Sequence, residues 1–286
     1  MEKNVKRISG LREWMILTRQ MVLILLSDRK NLLVSLTFPV IAAFITVWIA
    51  GENMFLHYDG TKSASFVLVS AAIWGGLFNS IQIVVRERAN IKRDHTAGLR
   101  LRCYTASRAV VQFVLCLVQS GLLTCAFLGV QWKYGNALPA QGLIMDSALA
   151  EYYINIFLLM YAADAMGLFL SSLVRKTETA NVLAPYILII QLIFSGILFT
   201  MKGAADKVSY AMLSRWGMEA LGSTSDLNHM MLKIQLTVPS VPHEAEDMFL
   251  YTAQHLWQVW TILGLFAVGF IILGNLVLHR VAKDAR

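Results

Sequence analysis

Asp164 is the one acid set deep inside a long apolar run, and Arg215 and Glu219 are opposite charges four residues apart. A carboxylate at the centre of a hydrocarbon-buried helix costs about 2.5–3.5 kcal/mol, so Asp164 must face protein or water. Two roles suit it: a substrate or proton contact in a cavity, or a hydrogen-bonded tie between helices. The Arg215–Glu219 spacing lets the two side chains pair on one helical face. Phe78, Asn79, Gln82, Asn155, Gln191, Phe194 and Asn275 are milder polar or aromatic interruptions of apolar stretches. Packing and interhelical amide bonds, worth about 0.6 kcal/mol each in lipid, account for most such residues. The histidines His57, His95, His229, His243, His255 and His279 are scattered along the chain, so no metal site is expected from them. The sequence has no Gly-x-x-x-x-Gly-Lys-Ser/Thr phosphate loop, no His-Glu-x-x-His, no Cys-x-x-Cys and no Gly-x-Ser-x-Gly elbow. Catalysis on this chain is not expected; energised work would draw its energy from another polypeptide.

The elements that position these residues are six apolar segments, expected at about 32–50, 65–85, 109–132, 152–174, 181–199 and 256–278. Each is near the roughly 20 residues that cross a hydrocarbon core. A mean hydropathy of +0.57 agrees, and a soluble core of 286 residues would need no such runs. Of the 25 basic residues, only Lys62, Lys133, Lys202, Lys207, Arg215 and Lys233 fall outside the N-terminal stretch, two alternate loops and the C-terminal tail. The positive-inside rule therefore makes both termini cytoplasmic. The net charge of +7 is a topology signal, and with no basic patch on a soluble domain no nucleic-acid partner is expected. Cys103, Cys116 and Cys125 all avoid the expected external loops, and no Asn-x-Ser/Thr site occurs. Both facts point to a bacterial inner membrane. The charged first 30 residues do not look like a cleaved signal peptide.

The expected organisation is a cytoplasmic amphipathic helix over residues 1–30, then a six-span domain over 31–286. Leu11, Trp14, Met15, Thr18, Val22 and Leu25 recur at helical spacing beside Arg12, Glu13, Arg19 and Gln20, which suits a helix lying in the interface. That helix is either a plain anchor or one that also touches a cytoplasmic partner. The loop 86–108 is too charged for lipid and rich in helix formers, fitting either a short docking helix or a solvated connector. The external segment 133–151 carries Gly135, Pro139 and Gly142 and should be irregular. The external segment 200–255 starts apolar and ends acidic, with Pro239, Pro242, Glu244, Glu246 and Asp247. Gly75-Gly76 allows close helix approach, and Pro39 and Pro185 should bend their spans.

Three stretches carry a resemblance. Arg93-Asp94-His95-Thr96-Ala97-Gly98-Leu99, preceded by Val84-Val85-Arg86-Glu87-Arg88, resembles the Arg-Glu-Arg-x-x-Gly-Met-Tyr loop of G-subfamily (white-type) ABC exporter permeases. Phe194-Ser195-Gly196-Ile197-Leu198 resembles the run ending that family's fifth span. Ser214-Arg215-Trp216-Gly217-Met218-Glu219-Ala220-Leu221 resembles its Arg-Tyr-Gly-x-Glu-Ala-Leu external segment, with Trp216 in the tyrosine position. Asp94 stands for the usual glutamate and Arg100 for the usual tyrosine. The order and spacing of these stretches relative to six spans resemble a permease subunit of the ABC-2 membrane type, without the ATPase or the external cysteines of eukaryotic members.

The resemblance implies a separate ABC ATP-binding subunit that holds ATP and Mg, a second permease copy (the same chain or a similar one), and surrounding membrane lipid. It implies ATPase coupling through Arg86, Glu87, Arg93, Asp94, His95 and Gly98, with no cofactor on this chain. It makes the second and fifth spans cavity walls, which selects Phe78, Asn79, Gln82, Gln191 and Phe194 beside Asp164 as a substrate path. Arg215 and Glu219 would form a structural pair near the external gate. The expected activity is export of an amphipathic or hydrophobic substrate such as a peptide, lipid or drug-like molecule. The rival readings are a passive channel, which would want a polar stripe along a span, and a membrane scaffold that does not transport.

Overall fold

Ser9 opens the first helix, its Oγ accepting from Arg12 N at 3.4 Å, and Asp28 both closes that helix and starts the next. The Asp28 carboxylate accepts from Asn31 N at 3.3 Å, satisfying one of the amides a helix start leaves unpaired. The structure is a computed structural model that describes residues 9–50, 55, 57–135, 141–199, 201–230 and 246–283. Its helices are α1 (Gly10–Ser27), α2 (Arg29–Ala50), α3 (Tyr58–Ser80), α4 (Ile83–Thr96), α5 (Leu101–Lys133), α6 (Ala148–Leu173), α7 (Thr177–Ile193), α8 (Ala204–Ser209), α9 (Leu213–Thr224) and α10 (Ala253–Lys283). A 3-10 turn spans Asp247–Phe249, and no strand occurs among the described residues. Lys3, Lys6, Arg7, Pro139, Lys233, Pro239, Pro242, His243, Glu244 and Arg286 lie outside the described residues.

Five helical stretches are long and apolar enough to cross a membrane: Arg29–Trp48, Tyr58–Thr96, Leu101–Lys133, Ala148–Leu173 and Ala253–Arg280. α7 is a shorter apolar helix of 17 residues. The chain is therefore an all-α polytopic membrane protein, as its apolar runs predict. The boundaries differ from the sequence reading in three places. The second span starts at Tyr58 rather than near residue 65, and it breaks at Ile81–Gln82 before continuing as α4. Residues 101–108, expected in a loop, are the first two turns of α5. The fifth span ends at Ile193, because Ser195 donates to Leu192 O at 2.8 Å and Gly196 turns the chain at φ +82°.

α6 is the central post. α3 and α10 run along it, α5 and α9 cover its remaining faces, and α2 lies outside α3 and α5. Glycine sets the α3–α6 spacing: a Cβ on Gly76 would lie 2.1 Å from Met160 O, and one on Gly167 would lie 2.7 Å from Leu77 O. Such close backbone approach gives dispersion contact in a solvent where apolar burial gives no drive. The outer faces of α2, α7 and α10 expose Phe44, Ile189, Ile190, Leu265, Val268 and Ile272, as lipid-facing or subunit-facing surfaces should. Trp48, Trp132 and Trp257, at the ends of α2, α5 and α10, are 83%, 76% and 56% exposed. They stand at the helix ends remote in sequence from α4, where exposed tryptophans of a membrane protein are expected to form an interfacial aromatic belt.

Candidate functional site

The elbow between α4 and α5 is built from local hydrogen bonds and one glycine. Leu99 N donates to Asp94 O at 2.9 Å and Gly98 N to His95 O at 3.0 Å, while Gly98 sits at φ +105°, a conformation that favours glycine. Thr96 Oγ1 donates to Arg93 O at 2.6 Å, and His95 Nδ1 lies 3.0 Å from Leu99 O. Arg93 and Asp94 pair with each other at 3.2 Å with side chains 75% and 50% exposed, so both charges remain at the surface. Arg86 is exposed too. The α1 helix braces the elbow: Glu13 accepts from Arg100 N at 2.7 Å, and Cys103 Sγ donates to Gly10 O at 3.5 Å.

Glu87, expected among the docking charges, turns inward instead. It accepts from Tyr104 Oη at 2.5 Å and from Arg108 Nη2 at 2.8 Å, and the Arg108 guanidinium stacks 4.6 Å from the Tyr104 ring centroid. Arg108, counted as a loop charge by sequence, is only 2% exposed. The extra two turns of α5 carry it against α4, where a carboxylate, a ring and the Leu17 carbonyl at 3.5 Å meet it. A buried guanidinium must be paired this way.

The break between α3 and α4 is pinned to the post. Ser171 Oγ accepts from Val84 N and Val85 N, both at 3.1 Å, supplying acceptors where the helix ladder is interrupted. Arg88 Nη1 donates to Val174 O at 2.6 Å and so caps the carboxyl end of α6. Sequence reasoning missed Ser171, since a lone serine in an apolar run carries no periodic signal.

Among the described residues, the polar members of the expected substrate path meet partners on neighbouring helices. Asn79 is spent on neighbours: its Nδ2 donates to Gln119 Oε1 at 2.6 Å, and its Oδ1 accepts from Ser35 Oγ at 3.2 Å. Gln119 Nε2 also reaches Ser35 O at 3.0 Å, and Gln112 Nε2 reaches Asn79 O at 3.0 Å. These residues tie α2, α3 and α5 by polar contacts that replace water in lipid. Gln82 Nε2 donates to Asn181 Oδ1 on α7. Gln191 is buried and fastens α7 to α9, its Oε1 accepting from Ser214 N at 3.1 Å. Phe194 is the half-buried cap residue of α7. Asp164 is 1% exposed in the α3–α6 seam; Ser80 Oγ donates to its backbone carbonyl at 2.5 Å, and its Oδ1 has no hydrogen-bond partner. It reaches no surface of the chain. Phe78 alone faces outward, 37% exposed and stacked on Trp74 with centroids 5.1 Å apart.

At the opposite end, the Arg215–Glu219 pair forms as its spacing predicts, with Arg215 Nε 2.9 Å from Glu219 Oε1. Arg215 Nη1 also meets Asp206 at 2.6 Å, and the guanidinium lies 3.8 Å from the Tyr210 centroid. α9 is buried along its whole length, wedged among α3, α6 and α10. Burial pushes the Glu219 carboxyl above the ordinary carboxylate range, outweighing the lowering effect of Arg215. Asn155 joins the wedge to the post: its Nδ2 donates to Thr224 Oγ1 at 2.9 Å, and its Oδ1 accepts from Trp260 Nε1 at 2.6 Å.

Comparison with known proteins agrees with this architecture. The chain is 25% identical over 273 residues to the ABC transporter ATP-binding/permease protein Rv1747 of Mycobacterium tuberculosis, a match covering 91% of this chain and 30% of that relative. The chain thus spans less than a third of that protein's length. The family described as ABC-2 type transporter matches residues 12–224, from α1 through α9. The chain belongs to the ABC-2 type transporter family, as a membrane-embedded transport permease domain.

Proposed function

We propose that this chain is the transmembrane subunit of an ATP-driven exporter for an amphipathic or hydrophobic substrate, working as a dimer of permease copies above two separate ATP-binding subunits. ATP and Mg are held by those subunits, and both termini face them. The observation that carries this reading is the elbow. Arg93, Asp94 and Gly98 stand at the surface on a turn whose two arms are anchored in the bundle by Ser171, Glu87–Arg108 and Glu13. A push on that turn travels as a rigid displacement along α4 to α3 and along α5, because neither arm ends in a loose link. Closure of the ATP-binding pair would move the two elbows together and tilt α3. The face carrying Trp74 and Phe78 would then change its exposure in the dimer cavity. Directionality comes from unequal substrate affinity in the two states.

The test combines co-purification from the native host with ATPase assays. Mass spectrometry should find a stoichiometric ATP-binding partner. Asp94→Ala and Gly98→Ala should leave assembly intact and lower ATP hydrolysis coupled to the permease. A Cβ on Gly98 meets nothing within 4 Å, so Gly98→Ala acts through backbone strain of about 1–2 kcal/mol confined to the elbow. A clean homo-oligomer with no nucleotide-binding partner would refute the proposal.

A further inference from the structure

A cavity of about 580 Å³ opens between α9, the Asp247–Phe249 turn and the first turns of α10. Its lining combines polar Glu219, His255 and Gln258 with apolar Trp216, Trp257 and Ile262; Glu219 and Trp216 are buried, whereas Gln258 and Trp257 are exposed. The side chain of Glu219 is 96% buried by its 4% exposure. Its Oε1 is taken by Arg215, whereas His255 Nε2 stands 3.8 Å from its Oε2, beyond hydrogen-bond reach. His255 Nε2 is itself buried without a hydrogen-bond partner. Arg215 spends Nε on Glu219 and Nη1 on Asp206 and Ser209, with its guanidinium against the Tyr210 ring, so most of its charge is met inside the protein. Asp247 adds a further carboxylate at the rim. The lining therefore sets two carboxyl groups, Glu219 and Asp247, against the single guanidinium of Arg215, with Trp216 and Trp257 beside them.

We propose that this cavity binds the ammonium group of an amine-bearing amphiphile, with its chain lying against Trp257 and Ile262. The ammonium would donate to Glu219 Oε2, and the indole faces of Trp216 and Trp257 would stabilise the cation. Trp257 is exposed near the start of α10, where interfacial tryptophans are expected, and this would put the cavity mouth near the lipid headgroups. This site is separate from the elbow and does not depend on the chain being an exporter. The ammonium chemistry has two sources, a membrane lipid such as phosphatidylethanolamine or a free long-chain amine.

Native mass spectrometry of the full chain, released from bilayers of equal parts phosphatidylethanolamine and phosphatidylglycerol, separates these. Preferential retention of phosphatidylethanolamine by about tenfold, the effect of one charge-assisted hydrogen bond, identifies a lipid occupant. Retention of added dodecylamine without phosphatidylethanolamine identifies the free amine and supports the same chemistry. In either case Glu219→Gln and Trp257→Ala should each bring the preference close to parity. Trp257 is 56% exposed, so its replacement leaves the fold intact and keeps the test decisive if Glu219→Gln folds poorly. Equal retention of phosphatidylglycerol, or a preference unchanged in a folded Trp257→Ala, overturns the proposal.

Discussion

Replacing Gly76 and Gly75 by alanine, one at a time, tests whether backbone contact between α3 and α6 holds the bundle. A methyl on Gly76 would sit 2.1 Å from Met160 O and 3.0 Å from Asp164 N, both backbone atoms that cannot turn aside. Ordinary contact begins at 3.4 Å, so the two helices must separate by about 1 Å. Overpacking of this kind costs about 1–3 kcal/mol. The Ser80 to Asp164 O hydrogen bond, now 2.5 Å, would stretch out of range and remove about 1 kcal/mol more. Against this stands the gain of about 0.5–1 kcal/mol from replacing a helical glycine. The net is a loss of about 2 kcal/mol for Gly76→Ala. On Gly75 the same methyl meets only the Met160 Cε at 3.6 Å and Phe38 ring atoms, so Gly75→Ala should be neutral or slightly stabilising. Thermal unfolding in nanodiscs, followed by loss of the monodisperse gel-filtration peak, should show Gly76→Ala about 4–8 °C below wild type, at about 2–4 °C per kcal/mol for a chain of this size. Equal midpoints for the two variants would refute the close-approach argument.

Arg108→Met should destabilise the chain by about 2 kcal/mol, because it removes the cation paired with the mostly buried Glu87 carboxylate and leaves it the Tyr104 hydroxyl, whereas Glu87→Gln combined with Arg108→Met should recover most of that loss; a double-mutant cycle on thermal midpoints gives the coupling. The raised Glu219 carboxyl predicts a pH effect. Its folded form holds a proton that the unfolded form releases near the ordinary value of 4.5, so its contribution to stability is full below that pH and is lost as pH rises through the higher folded value. Glu219→Gln cannot titrate, so between about pH 4 and 7 the wild-type midpoint should fall relative to the variant. A parallel pH dependence of the two proteins would contradict the assignment.

Several of these contacts could be read along the chain, and others could not. The Arg215–Glu219 pair follows from its four-residue spacing on one helix, and the structure forms it at 2.9 Å. The Phe194-Ser195-Gly196 stop is local chemistry, a serine back-bond and a positive φ, and the helix ends there. The charged run 86–99 reads as helical and surface-seeking, and α4 and its elbow are so. Glu87 and Arg108 share that run's charge pattern, yet they pair with each other in the interior. Nothing in their neighbours' polarity separates them from Arg93 and Asp94; the difference is which helix faces them.

Apolar length, the sorting of lysine and arginine, and helix punctuation determine a six-segment all-α membrane protein with a charged elbow, because each is a property of consecutive residues in a hydrocarbon or aqueous solvent. Asn79, Gln82 and Gln191 are recognisable by sequence as costly polar groups inside spans, but not as partners of Gln119, Asn181 and Ser214. Those partners lie tens of residues away, and their meeting depends on the crossing of α2, α3, α5, α7 and α9. The tertiary structure alone decides that these amides are helix ties, that Asp164 is sealed beneath Gly76 and Gly167, and that Glu219 faces a cavity. In each case the glycines and the α9 wedge set the helix spacing, and that spacing decides which polar atoms come within 3.5 Å of each other.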